Sequence, residues 1–327
     1  YESLQARPLR HPAKQMKILV AGDVNGKLPE LCAKVAHFHK SKAGPFDYVF
    51  CSGALSSAAR DADLKKLLEG EAEAPAVPIY FTEAGDAPCL SGKLKEGSGA
   101  PQEICKNVLY LGRGGIKTVG KLTVAFLSTT HRKDDVEACK KIASANGYGG
   151  ADLMLSAEWA RGVEVDLPER SVRELQALGV AVAAVGNTAV AEVAAAAKPR
   201  YHFAGGEGVF YQRPPYRNHA VPPSGRKCSH TTRFIGLGEL DSAQRDKKKK
   251  WLHALNLEPV MYMSRQALVE ETVDTTDCPY VTKTSLGSQG ARNNNAGGPA
   301  GPGPSWASRV EAEEAGRRTD SGMFLYG

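Results

Sequence analysis

The strongest constraint in this 327-residue chain is an alternation of short apolar runs with amphipathic helical stretches, each apolar run closing on small residues. "KILVAG" reads as a strand, and "LPELCAKVAHFHKSK" as a helix with Leu28, Leu31, Val35 and Phe38 on one face. "FDYVFCSG" is a second strand, "DADLKKLLEG" a second helix and "VPIYFTEAG" a third strand. Apolar strands joined by helices belong to a sheet buried on both faces. The rhythm then changes. "NVLYLGRGGIKTVGKLTVAFLS" has two β-rich runs separated by glycines and reads as a hairpin. "DDVEACKKIASAN" is a helix, "GADLMLSAEW" a strand, "TAVAEVAAAAK" a helix stopped by Pro199, and "RYHFAGG" the strand that leaves it. "TTRFIGLGEL" and "KWLHALNLEPV" are strand-like runs around "DSAQRDKKKK", which makes the lysine run 247–250 a solvated hairpin turn.

Residues 1–15 read as a basic arm, 16–280 as the folded α/β domain, and 281–327 as a Gly/Pro/Asn-rich tail. The tail cannot bury enough apolar surface to fold alone, although its terminal aromatic cluster could dock on a partner. A net charge of +6 favours anionic partners without naming one. The seven cysteines (Cys32, Cys51, Cys89, Cys105, Cys139, Cys228, Cys278) form no CxxC pair. That argues against a thiolate zinc site and a disulfide framework, and fits a reducing compartment. The most apolar stretch, "GVAVAAVGNTAVAEVAAAAK", is interrupted by Asn187, Thr188 and Glu192, too weak a pattern for a membrane span. No secretory leader is visible, so an intracellular protein with no membrane partner is expected. "LGRGGI" lacks the strand-to-helix setting of a dinucleotide fingerprint, no GxxxxGK[ST] is present, and no serine has a nucleophile-elbow context.

The strand ends carry the informative chemistry. "KILVAGDVNGK" delivers Gly22-Asp23 from an apolar strand into a tight turn, which resembles the opening of a metal-dependent phosphoesterase with Asn25 where a histidine would stand. Such enzymes hold two metals at the carboxyl edge of a calcineurin-like β-sandwich flanked by helices, with Asp, His and Asn ligands at strand ends. In this chain the second block offers Ala54 where a bridging aspartate is needed, and the third offers Asp86 in place of an Asn-His pair. The fourth has Ala157, and the fifth has Gly206 and Gly208 in place of two histidines. These are vestigial positions: the resemblance implies the fold with a degenerate metal site, no metal, no catalytic residue and no other cofactor. A shifted register would bring His131 or His202 into the set, and Asp86 could hold one metal weakly.

"KPRYHFAGGEGVFYQRPPYRNH" followed by "HTTRFIGLGEL", with "GDVNGK" and "LYLGRGGI" upstream, resembles the CwfJ family of Cwf-nineteen-like proteins from about Met16 to Tyr280. The resemblance implies a silent phosphoesterase-like scaffold associated with the spliceosome and with the lariat-debranching enzyme, in the nucleus. Members carry two further C-terminal domains that have no counterpart in this sequence. Arg200, Arg217 and Arg233 fall in the matching strings beside Tyr201, His202, Tyr216, Asn218, His219 and Phe234. Arginine forks suit phosphate and aromatic faces suit unstacked bases, so the set is a candidate surface for RNA or a protein partner. The alternative is that the arginines pin loop carbonyls while the rings fill the core. Two rival functions stand beside the scaffold: a residual phosphodiesterase, and a structural subunit of another large assembly.

Overall fold

Side chains on alternate faces of one strand set the layers of the molecule. In the computed structural model, which describes residues 15–95, 99–218, 230–241 and 247–280, Ile18 and Val20 of β1 (Met16–Ala21) enter one core cluster and Leu19 and Ala21 another. Along the chain follow α1 (Leu28–Lys40), β2 (Tyr48–Cys51), α2 (Asp61–Leu68), β3 (Ile79–Phe81), β4 (Gln102–Cys105) and β5 (Val108–Tyr110). Next come β6 (Gly114–Val119), β7 (Leu122–Leu127), α3 (Lys133–Ala143), β8 (Leu153–Ser156), α4 (Glu169–Ala177), α5 (Thr188–Ala197) and β9 (Tyr201–Ala204). The rest are β10 (Tyr211–Gln212), β11 (Tyr216–Arg217), β12 (Thr231–Gly236), β13 (Leu252–Leu257), α6 (Arg265–Leu268) and β14 (Thr276–Asp277).

The first sheet runs β13-β1-β2-β3-β5-β4. Its β1, β2, β3 and β5 are parallel, and β13 closes one edge antiparallel to β1, from Met16↔Leu257 to Ala21↔Leu252. The second sheet runs β14-β11-β12-β9-β8-β7-β6, with β10 also on β12. There β7, β8, β9 and β12 are parallel. Between the sheets lie Val20, Phe50, Val124, Phe126, Leu155, Phe203 and Ile235. On the outer face of the first sheet, Leu31 and Val35 of α1 and Leu64 of α2 pack on Val49 and Ile79. On the outer face of the second, Val136 of α3 and Val190 and Val193 of α5 pack on Ala125 and Met154. Each fully buried aliphatic or aromatic side chain contributes about 1.5–3 kcal/mol by leaving water. Helix α5 starts on an Asn187 cap, whose side chain accepts from the Ala189 amide at 2.8 Å, and ends at Lys198 in the left-handed region just before Pro199. A two-sheet α/β sandwich flanked by helices is the architecture the sequence led us to expect.

Two local expectations are corrected. "NVLYLGRGGIKTVGKLTVAFLS" is three strands: β5 belongs to the first sheet, Leu111–Arg113 crosses over, and β6 with β7 forms the hairpin in the second. Gly112, at φ 118°, gives the backbone that crossing. The lysine run is likewise a crossing rather than a hairpin turn, because β12 and β13 lie in different sheets. Lys250 at its end is half-buried, with Nζ 5.0 Å from the Phe210 ring centroid and 3.2 Å from His253 Nδ1, and burial lowers its pKa to about 8. Helix α4, strand β4 and the two-residue strands β10, β11 and β14 had no expectation behind them. Residues 1–14 of the arm and the tail 281–327 lie outside the described residues. Among the described residues no helix is long and apolar enough to cross a membrane.

Candidate functional site

One carboxylate at the carboxyl end of β1 gathers turns from both sheets. Asp23 Oδ1 accepts the Ala54 amide at 3.0 Å, from the turn after β2, and Oδ2 accepts the Gly206 amide at 2.9 Å, from the turn after β9. Burial raises the Asp23 carboxyl above its ordinary value, against the pull of these two bonds. The neighbouring backbone comes so close that a Cβ on Gly53 would stand 2.1 Å from Asp23 Oδ1, and one on Gly205 would stand 2.8 Å from the Gly53 Cα. A second carboxylate repeats the device. Buried Glu83, after β3, accepts the Thr129 amide and hydroxyl at 2.7 Å each from the turn after β7, and the Gly85 amide at 3.2 Å.

The other expected positions have structural occupations too. Asn25 adopts φ 49°, a left-handed conformation asparagine tolerates, and its amide donates to Ala54 O at 2.9 Å. Its side chain bonds Glu239, whose carboxyl is held below the usual range chiefly by Lys27, with Nζ 2.9 Å away. Asp86 Oδ1 accepts the Ala58 amide at 2.8 Å on the surface. Ala157 is buried, and Gly206 and Gly208 sit at φ 91° and 66°; a Cβ on Gly206 would stand 2.6 Å from the Ala157 carbonyl oxygen. His131 is tied through Nδ1 to its neighbour Ser128 O at 2.7 Å.

A two-metal centre needs oxygen or imidazole donors converging from several strand ends. Of the seven positions expected, Asp23 and Asp86 alone carry a carboxylate, and both Asp23 oxygens already accept amides. Among the described residues no group of three or more His, Cys, Asp and Glu converges as a metal site would require. At the seven expected positions the side chains offer two carboxylates and one carboxamide as donors.

The second candidate set is dispersed. His202 is fully buried, its Nε2 2.8 Å from Ser156 Oγ and its ring edge-on to Phe234, itself buried; burial lowers the imidazole to about 3. The Ser156 hydroxyl donates to Glu158 O at 2.7 Å, so it accepts from His202 Nε2–H. Tyr216 is buried against Tyr280 and beneath the Arg213 guanidinium. Asn218 donates to His230 O and Thr232 Oγ1, both at 2.8 Å. Arg217 grips Glu271 with two nitrogens at 2.8 and 3.1 Å and Asp277 with a third at 2.7 Å. All five of these residues are engaged in contacts within the fold. Arg200, Tyr201 and Arg233 do form a cluster, at the amino ends of β9 and β12, the edge opposite Asp23. His219 lies outside the described residues.

Sequence reading passed over Arg213 and Glu83. Arg213 is 3% exposed and donates to Val163 O, Val165 O and Pro214 O at 2.8 Å each, so a buried cation is held by loop carbonyls. Both stood inside quoted strings, Glu83 in "VPIYFTEAG" and Arg213 in "GVFYQRPPYRNH", but their partners are loop groups distant in sequence that no spacing announces.

No protein-family model matches the chain. It is 34% identical over 278 residues to CWF19-like protein 1 homolog of Caenorhabditis elegans, covering 82% of this chain and 48% of that protein. It is 33% identical to zinc finger CCCH domain-containing protein 64 of Arabidopsis thaliana (86% of this chain, 47% of that one) and 30% identical to CWF19-like protein 1 of Mus musculus (82% and 49%). The chain thus spans about half the length of the curated relatives it matches. Among solved structures, purple acid phosphatase PPD1 of yellow lupin aligns at 12% identity over 76% of this chain and 50% of its own, with a TM-score of 0.42. A Mycoplasma pneumoniae phosphatase aligns at 11% identity over 78% and 99%, with a TM-score of 0.34.

Proposed function

The chain belongs to the CWF19-like, or CwfJ, family, and from that premise we propose that it is a non-catalytic phosphoesterase-like scaffold working in splicing. Its partners are the spliceosome and the lariat-debranching enzyme, with RNA at hand in that setting and the nucleus as its place of action. The observation that carries the non-catalytic reading is the donor set: four of the seven positions where ligands would sit are Ala54, Ala157, Gly206 and Gly208, whose side chains offer a metal nothing, and Asp23 holds the amides of two of them. A carboxylate engaged in this way acts as a clamp on three turns.

Affinity capture of the tagged chain at low salt, with and without ribonuclease, tests the partner reading. Recovery of the debranching enzyme with late spliceosomal proteins is expected. Recovery of a different stable assembly, or of none, overturns it. Catalysis is tested separately with a chromogenic phosphodiester and added manganese, where no turnover above the metal-only blank is expected. Asn25→His should stay equally silent, because methyl groups remain at positions 54 and 157 and glycines at 206 and 208, so one added imidazole does not complete a ligand set. Metal-dependent turnover by the native chain or by this variant would sink the non-catalytic reading.

A further inference from the structure

Positive charge and exposed apolar surface meet at the edge opposite Asp23. Arg200 precedes β9, and Arg233 of β12 stands beside Tyr201 in the ladder. Their guanidinium carbons lie 5.5 and 5.8 Å from the centroid of the Tyr201 ring, so one buried ring supports two half-exposed forks. Arg200 donates to Glu258 O at 2.9 Å, which ties the pair to the turn that follows β13. On that turn Met261 is 69% exposed and Tyr262 is 43% exposed. Lys121, from the β6–β7 turn, places Nζ 5.4 Å from the Tyr262 ring centroid. The carboxylate interacting with Arg200, Asp152, is 2% exposed and is bonded to the amides of Thr123 and Val260 at 2.7 and 2.6 Å.

We propose that this edge binds single-stranded RNA, with phosphates on Arg200, Arg233 and Lys121 and an unstacked base on Tyr262 beside Met261. The inference deepens the splicing reading above, and rests on it for RNA as the class of partner. Guanidinium forks match two phosphate oxygens, and an exposed ring next to them supplies a stacking face. An acidic peptide would use the cations but would gain from the ring only where it carries an apolar side chain in the right place, whereas every base of a single strand brings a stacking face, which favours the nucleic acid. The overall charge of +6 adds long-range attraction for a polyanion.

The test is fluorescence anisotropy of the full chain with a labelled oligouridine of about a dozen nucleotides, between about 50 and 200 mM salt. Arg233→Gln and Lys121→Gln should each weaken binding several-fold and flatten the salt dependence by roughly 0.7 in log–log slope, the expectation for one lost phosphate contact. Tyr262→Ala should weaken binding about tenfold and leave the slope unchanged. Lys65→Gln on α2, where the side chain is 61% exposed, should change nothing. Arg200 is left intact because it holds the Glu258 carbonyl, and circular dichroism melts confirm that each variant is folded. Absence of binding overturns the proposal, as does binding indifferent to all three variants. So does a polyglutamate peptide that binds as tightly and ignores Tyr262→Ala, since that would make the edge a site for acidic protein segments. Lost RNA binding with intact capture of spliceosomal proteins leaves the scaffold standing, and the reverse leaves this edge standing.

Discussion

Asp23 keeps a half-buried carboxylate in place with two amides drawn from opposite sheets. Asp23→Ala removes the acceptor of both amides, one of them exposed and one half-buried, and is expected to lower unfolding free energy by about 1–2 kcal/mol in urea titrations. Asp23→Asn keeps one acceptor and should cost less than the alanine. The motif around it was legible: an apolar strand ending in Gly22-Asp23 announces a residue at the mouth of a sheet, and each departure from a metal-ligand pattern is a letter in the chain. The clamp was not legible, because Ala54 and Gly206 act through their N–H groups and a backbone donor looks the same under every letter. His202 kept two readings open for the related reason that an imidazole reads alike in a core and on a surface, and the structure gives it the structural one. Its partner, Ser156, lies 46 positions upstream.

At the scale of elements, long apolar runs made themselves known and short pairings did not. Helix α1 falls where its apolar spacing put it, with Leu28, Leu31, Val35 and Phe38 buried. A two-residue strand has no period to detect, and β11 exists because β12 and β14 flank it. Arg217 fastens that arrangement by joining β11 to Glu271 and Asp277. Both pairs are well exposed, so Arg217→Ala is expected to cost under about 1 kcal/mol in global stability. The local effect should be larger: amide hydrogen exchange across residues 271–278 should quicken while β7, β8 and β9 keep their protection. Unchanged exchange in that segment would mean that the ladder alone holds it. The misread crossing at 111–113 has the same root, since the three residues of β5 and the glycine-led run of β6 are too short or too mixed to say which sheet receives them.

At the scale of the whole molecule, the buried histidines set the response to acid. Burial lowers His202 and His253 to about 3, well below the unfolded value of 6.5. The fold therefore favours their neutral forms: the stability they contribute is complete above pH 6.5 and is lost as pH falls toward 3. Each should cost about 2 kcal/mol between pH 6.5 and 5, and His253→Gln should remove about half of that slope in denaturation midpoints. Asp23 works in the opposite sense, because its raised folded value favours the fold at low pH and that contribution fades as pH rises. A separate consequence follows from β13 lying beside β1, Leu257 against Met16. On a ribosome, β1 emerges first and its neighbour arrives more than two hundred residues later, on the order of ten seconds or more at ordinary synthesis rates. For that interval the nascent first sheet has an open hydrogen-bonding edge of the kind that recruits foreign strands. Guarding that edge until the late strand arrives falls to chaperones and to the pace of translation.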